Sequence, residues 1–94
     1  MTIARIYRMQ AAAGRGDELA LALADLVSVV SAIAGCQGAD LIRETDAPEQ
    51  FLFIEKWASI AAHKAGAAAL AKGSIAAIVA ALAAPPQGAY GDYL

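Results

Sequence analysis

Two spacings of apolar residues divide the chain into predicted helices and strands. After Asp17, apolar residues occur at Leu19, Leu23, Leu26, Val27, Val30 and Ile33, with spacings of 4, 3, 1, 3 and 3 that place them on one helical face. This spacing predicts one apolar face on a helix of about four turns, which Gly35 ends. Asp17 and Glu18 favour the same start because they lie at the positive end of the helix dipole.

Four other segments have the composition of strands. Residues 2–9 and 51–57 are rich in β-branched and aromatic side chains, and residues 36–44 carry a shorter apolar run. The polar segment between residues 44 and 51 contains Pro48 and predicts a turn, so residues 36–57 are expected to form a hairpin. Residues 89–94 give the last and weakest strand pattern.

A second helical region lies between the hairpin and the final strand. Ser59 is a suitable N-cap for a helix that starts at Ile60 and places His63 on its inward stripe. Gly73 and Ser74 interrupt this helix, and Pro85 ends it. The resulting order, βαββαβ, predicts an α+β fold of the ferredoxin-like, split βαβ type with a four-stranded antiparallel sheet. The whole chain, residues 1–94, is expected to form this single domain.

The third predicted strand carries apolar residues on both of its faces. Phe51, Phe53, Glu55 and Trp57 alternate with Leu52, Ile54 and Lys56. Right-handed crossovers place both helical regions on one face of the sheet, so the other face needs another cover. Since a 94-residue chain with one cysteine has no internal disulfide to stabilise it, we expect a homodimer.

Composition excludes several classes of function. Hydrophobic residues make up 60% of the chain, but 26 residues are alanine, and the alanine-rich segment 59–84 carries His63, Lys64 and Lys72. We therefore expect no membrane-spanning helix. A net charge of −2 without a basic cluster makes nucleic acid a poor partner. The single Cys36 and single histidine predict no zinc site, and a reduced thiol in the cytoplasm is the expected state.

Residues 35–63 resemble the antibiotic biosynthesis monooxygenase (ABM) domain family. The resemblance is carried by Gly35-Cys36, Pro48, Phe51 and the run Glu55-x-Trp57-x-Ser59-x-x-x-His63. It implies a dimeric α+β barrel, and the family includes cofactor-free oxygenases of aromatic polyketides and haem-degrading enzymes. The haem-degrading branch resembles a site of Asn, Trp and His, whereas this chain has no asparagine. That branch is therefore disfavoured, and no cofactor or metal is expected.

Two residues match this resemblance and are candidate catalytic residues. His63 is the only side chain whose ordinary pKa lies near neutrality, so it is the first candidate for a general base. Trp57 offers a flat ring for stacking and an indole N–H for a hydrogen bond. The alternatives are a structural, hydrogen-bonded histidine and a tryptophan that serves only the core or the dimer interface.

Four further residues are candidate substrate-binding residues. Arg5 and Tyr7 share one face of the first strand and can donate hydrogen bonds to a phenolate or carbonyl oxygen. The alternative for Arg5 is a salt bridge to Glu55 on a neighbouring strand. Phe51 and Phe53 are expected to cover a space beneath the alanine-rich second helix, where a ligand can bind. The alternative is that the small alanine side chains let this helix pack closely on the sheet.

The residues and the resemblance lead to one leading hypothesis and one rival. The leading hypothesis is a homodimeric, cofactor-independent monooxygenase that acts on a planar aromatic such as a quinol or an anthrone. The rival is a non-catalytic α+β-barrel protein that binds a small hydrophobic metabolite or serves as an assembly domain.

Overall fold

The computed structural model describes residues 2–94, which form four strands and three helices. In chain order the elements are β1 (Ile3–Gln10), α1 (Gly16–Ser31), β2 (Cys36–Arg43), β3 (Gln50–Trp57), α2 (Ile60–Ala69), α3 (Gly73–Ala81) and β4 (Gln87–Asp92). The strands form one antiparallel sheet in the order β2-β3-β1-β4. The predicted ferredoxin-like arrangement is confirmed.

The amphipathic helix α1 supplies one side of the core. Its buried residues include Leu19, Leu23, Leu26 and Val30, all from the predicted apolar stripe. They pack with Phe51 and Phe53 of the central strand β3, which are 3% and 0% exposed. Burying a side chain of this size contributes about 1.5–3 kcal/mol. Gly35 follows the helix with φ +87°, a backbone conformation that suits glycine.

The sequence predicts one interrupted helix in the second helical region, but the structure has two separate helices there. The axes of these helices, α2 and α3, differ by 95°. The chain leaves the first helix at Leu70, which has extended backbone angles, and starts the second at Gly73. No single helix among residues 2–94 is long and apolar enough to cross a membrane; only these two helices taken together reach that length and composition.

The two faces of the sheet differ in the way the alternation in β3 predicts. Phe51, Phe53, Glu55 and Trp57 are all buried on the helix side, whereas Leu52, Ile54 and Lys56 are half-buried on the other side. Cross-strand partners place Ile6 of β1 and Ile42 of β2 beside them on that helix-free face. Within one chain, this face has no layer above it.

The final strand starts and ends earlier than its sequence pattern suggests. It spans Gln87–Asp92 instead of residues 89–94, and it pairs only with β1. The register places Tyr90 opposite Arg5. This pairing brings a tyrosine from the end of the chain to the helix side of the sheet.

Candidate functional site

An apolar cavity of about 270 Å³ lies between the helix side of the sheet and the two short helices. Nine of its eleven lining residues are apolar. The exceptions are Tyr7 of β1 and Glu55 of β3, both from the floor of the sheet. The side chains of α3 that line it include Ile75, Ile78 and Val79. A cavity with this composition suits a small, mostly apolar ligand with one polar edge.

A second cavity, of about 40 Å³, adjoins the first. Tyr7 and Glu55 line both cavities, and Trp57 and His63 line only the smaller one. The polar residues therefore lie at the boundary between the two spaces. His63 lies on the side of the smaller cavity and does not line the larger one.

The imidazole of His63 is held by two tyrosines. A hydrogen bond of 3.1 Å joins its Nε2 to the Tyr7 hydroxyl, and one of 2.7 Å joins its Nδ1 to the Tyr90 hydroxyl. A neutral imidazole has one donor and one acceptor nitrogen, so one hydroxyl donates to the ring while the other accepts from it. His63 is 6% exposed and Tyr90 is 37% exposed.

The carboxylate of Glu55 accepts a hydrogen bond from a residue of its own strand. The indole Nε1–H of Trp57 donates to Glu55 Oε1 at 2.9 Å, and His63 Nε2 lies 3.8 Å from the same oxygen. Both side chains point to the helix side because they are two residues apart on β3. The Trp57 N–H is therefore already used within the protein and is not a free donor to a ligand.

Helix α2 brings His63 to this position through its first turn. The Ser59 side chain caps the helix by accepting a hydrogen bond from the backbone N–H of Ala62 at 3.0 Å. The helix lies so close to the sheet that a Cβ on Gly66 would be 2.5 Å from a ring carbon of Trp57. A side chain at position 66 would therefore force the helix or the indole to move.

Burial shifts the pKa values of the three titratable groups at the boundary. It raises the pKa of Glu55 above 4.5, against smaller opposing effects of the Trp57 hydrogen bond and the charge of Arg5. It raises the pKa of Tyr7 above 10.0. Burial also lowers the pKa of His63 below 6.5, helped by the positive charges of Arg5 and Lys64. At neutral pH His63 is therefore an uncharged ring.

Arg5 stacks on two tyrosines and lines neither cavity, and its role in substrate binding stays a prediction. Its guanidinium lies over the rings of Tyr7 and Tyr90, 4.8 and 4.5 Å from their centroids. Among residues 2–94 it has no ion pair with an acidic side chain, so the salt bridge to Glu55 is absent. Its buried Nε lacks a hydrogen-bond partner. Gly88 leaves room for it, because a Cβ there would lie 2.9 Å from Arg5 Cζ.

The six candidates from the sequence separate into two groups. His63, Trp57 and Tyr7 meet at the smaller cavity, and Arg5 stacks against Tyr7. Phe51 and Phe53 are instead buried in the core beneath α1 and line neither cavity. At the same level of the sheet, the larger cavity is lined from the neighbouring strand β1, by Tyr7 and Met9, which pair with Phe53 and Phe51.

Two residues of the site were not selected from the sequence. Glu55 belongs to the run that carries the family resemblance and is the alternative partner for Arg5, but the sequence does not predict it as a site residue. A carboxylate between Phe53 and Trp57 on a buried face is the signal that could have found it. Tyr90 gave no signal, because its contact with His63 depends on the register of β4 against β1. No group of three or more metal-ligating side chains occurs within residues 2–94.

The fold and site define a ferredoxin-like α+β domain with a ligand-sized apolar cavity under its helices. The sequence model of the antibiotic biosynthesis monooxygenase family matches residues 2–68. The chain therefore belongs to this family, which confirms the resemblance seen in the sequence. No curated protein matches the chain at a significant level. Residues 69–94, which contain α3 and β4, lie beyond the matched segment.

Solved structures show how widely the fold is shared. A Bordetella bronchiseptica protein that carries the family's name has a TM-score of 0.88 at 20% identity, with 99% of this chain and 97% of that chain covered. One from Chloroflexus aurantiacus has a TM-score of 0.80 at 25% identity, with 100% and 94% covered. A mutant of SnoaB, a cofactor-independent oxygenase from Streptomyces nogalater, has a TM-score of 0.82 at 17% identity, with 98% and 92% covered.

Proposed function

We propose that this protein is a cofactor-independent monooxygenase that oxidises a planar, hydroxylated aromatic such as a quinol or an anthrone. The observation that carries the proposal is the larger cavity, whose lining is apolar except for Tyr7 and Glu55. Membership of the family supports the reaction class. SnoaB, which has the same fold, is a cofactor-independent oxygenase by name and adds support.

In this proposal the substrate supplies all the electrons that dioxygen requires. An anthrone-type CH₂ group loses two hydrogens and becomes a carbonyl. One oxygen atom enters the product and the other leaves as water, so the balance needs no external reductant. The protein contributes a base that forms the electron-rich anion and apolar walls that exclude water from it.

His63 is the base in this proposal, and it acts through Tyr7. A substrate in the larger cavity faces the Tyr7 hydroxyl, while His63 Nε2 lies 3.1 Å behind that oxygen. Tyr7 takes the substrate proton as it passes its own proton to Nε2. The lowered pKa of His63 keeps the ring uncharged, and therefore able to accept a proton, at neutral pH. Trp57 acts by holding Glu55 at the boundary of the cavity.

We also propose that the active form is a homodimer that joins the helix-free faces of two sheets. Ile6, Ile42, Leu52 and Ile54 are the apolar residues that this arrangement would cover. Ile42 is 47% exposed in the single chain, so its burial in a dimer would make association more favourable. This association would supply the stability that a small domain without disulfides lacks.

One observation favours a second candidate, a non-catalytic binding protein. Both ring nitrogens of His63 and the indole N–H of Trp57 already have hydrogen-bond partners within the chain. Since these three nitrogens have partners without a ligand, the site can hold a hydrophobic metabolite without reacting with it. In that case the network serves only to stabilise the cavity.

Oxygen uptake by metal-free and flavin-free protein distinguishes the two candidates. We expect wild type to consume oxygen with at least one member of a panel of quinols and anthrones. Tyr7→Phe should lose most of this rate, because it breaks the path to His63, and Tyr93→Phe should keep it because Tyr93 lines neither cavity. Ligand binding without oxygen uptake across the panel would favour the binding protein.

A further inference from the structure

We propose that Glu55 makes the larger cavity selective for neutral aromatics that donate a hydrogen bond, such as phenols and quinols, and against anionic aromatics such as arene carboxylates. This proposal rests on the ligand site of the proposed function and specifies the ligand selectivity of that site. It concerns binding and does not require the oxygenase reaction.

The free oxygen of the Glu55 carboxylate is the main observation. Oε1 accepts the hydrogen bond from Trp57, whereas no donor among residues 2–94 bonds to Oε2. The side chain is only 5% exposed, yet it lines both cavities. Oε2 is not a fully buried atom, so a ligand hydroxyl in the cavities that Glu55 lines can donate a hydrogen bond to it. Hydrogen bonds to charged acceptors are stronger than those between neutral groups.

The cavity offers no positive charge to a negatively charged ligand. No lysine or arginine of the described chain lines either cavity. The guanidinium of Arg5 stacks on the rings of Tyr7 and Tyr90 and lines neither cavity, although, against the larger effect of burial, its charge lowers the pKa of Glu55 on the neighbouring strand. His63 has a lowered pKa and is uncharged at neutral pH. An anion would therefore meet the Glu55 carboxylate with no lysine or arginine in the cavity lining to pair with it, in surroundings that screen their repulsion poorly.

Four naphthalene probes test this rule by direct binding at about pH 8, above the ordinary pKa of a carboxyl group. They are 2-naphthol, 2-methoxynaphthalene, 2-naphthoate and naphthalene itself. We expect wild type to bind 2-naphthol roughly tenfold or more tightly than 2-methoxynaphthalene, which has the same rings but no donor. Binding of 2-naphthoate should be weaker than that of naphthalene.

Glu55→Gln should abolish most of this selectivity, and Glu44→Gln should keep it. Both substitutions remove one negative charge, but Glu44 is exposed and lines neither cavity. In Glu55→Gln the affinity for naphthoate should rise and that for naphthol should fall, while naphthalene binding stays unchanged and shows that the cavity is intact. If Glu55→Gln does not fold, the wild-type comparison of naphthol with methoxynaphthalene decides alone.

Three results would overturn the inference: equal wild-type affinity for naphthol and methoxynaphthalene, wild-type naphthoate binding as tight as that of naphthol, or unchanged selectivity in folded Glu55→Gln. A protein that binds none of the four probes would overturn both this inference and the ligand site on which it rests. Selective naphthol binding without oxygen uptake would keep the inference and overturn only the oxygenase proposal.

Discussion

Trp57 donates its indole hydrogen to the carboxylate of Glu55, its second neighbour on the same strand, at 2.9 Å. The bond couples the most buried large side chain of the site to the only acidic side chain that lines either cavity among residues 2–94. It fixes one carboxylate oxygen and leaves the other without a hydrogen-bond donor among the described residues. The position of Glu55 therefore depends on the packing of Trp57.

Substitution of Trp57 should separate packing from hydrogen bonding. Trp57 is 1% exposed, so Trp57→Ala should lower the free energy of unfolding by roughly 1–3 kcal/mol more than Trp57→Phe, because alanine leaves a larger cavity. Trp57→Phe should fold but bind 2-naphthol more weakly, since Glu55 loses its donor. Chemical denaturation measures the free energy of unfolding of both variants, and titration with 2-naphthol measures their affinity. Wild-type affinity in Trp57→Phe would assign Trp57 to packing alone.

The pH dependence of turnover should identify the base. With His63 as the base, the rate rises with pH through an inflection below 6.5, because burial lowers the pKa of the ring. His63→Gln should remove most of the rate. A substrate that ionises unaided can imitate this profile, so two substrates of different acidity must be compared. An inflection that follows the substrate and survives in His63→Gln would show that His63 is not the base.

His63 should also make stability fall as the solution becomes acidic. The unfolded histidine takes up a proton near 6.5, whereas the folded one does so only at lower pH. Between these values the unfolded state binds more protons, so the free energy of unfolding decreases as pH falls. Glu55 has the opposite sign, because its folded pKa lies above 4.5. Denaturation of wild type and His63→Gln over a pH series isolates the histidine contribution, which the variant should lack.

Gly66 should tolerate no side chain. An added Cβ would lie 2.5 Å from Trp57 Cη2 and 3.0 Å from Ile33 Cγ2, so Gly66→Ala should destabilise the protein by about 1–3 kcal/mol. Gly73→Ala is the matched control, since a Cβ there meets nothing within 4 Å. Thermal unfolding of the two variants measures the difference. Equal stabilities would mean that α2 can move away from the sheet at little cost.

The helix-free face should mediate an obligate dimer. Sedimentation at micromolar concentration is expected to give the mass of a dimer. An obligate interface of this kind should bury well over about 2,000 Å² in total. Ile54→Glu places a charge in the middle of this face and should disrupt association. Leu21 of α1 is 71% exposed, and Leu21→Glu should leave the dimer intact. A folded wild-type monomer would refute the proposal.

The sequence predicted those parts of the fold that depend on short-range patterns. The apolar stripe of α1, the alternation from Phe51 to Trp57 and the inward position of His63 all follow from the period of one element. The sequence could not predict the contact between Tyr90 and His63, because strand register depends on pairing between distant segments. The 95° bend after Leu70 was only partly predicted, since Gly73 and Ser74 mark an interruption but not its angle. The homodimer, the aromatic ligand and the cytoplasmic location remain predictions.

The bend between α2 and α3 divides the ligand site into two parts that can evolve separately. Tyr7 and Glu55, its polar edge, lie within the segment that defines the family, whereas Ile75, Ile78 and Val79 of α3 lie beyond it. Exchanging these three side chains for smaller or larger ones should change the length and shape of ligand that fits, while Tyr7 and Glu55 stay in place. Designed libraries confined to α3 should therefore yield proteins with new ligand preferences and unaltered acid–base behaviour.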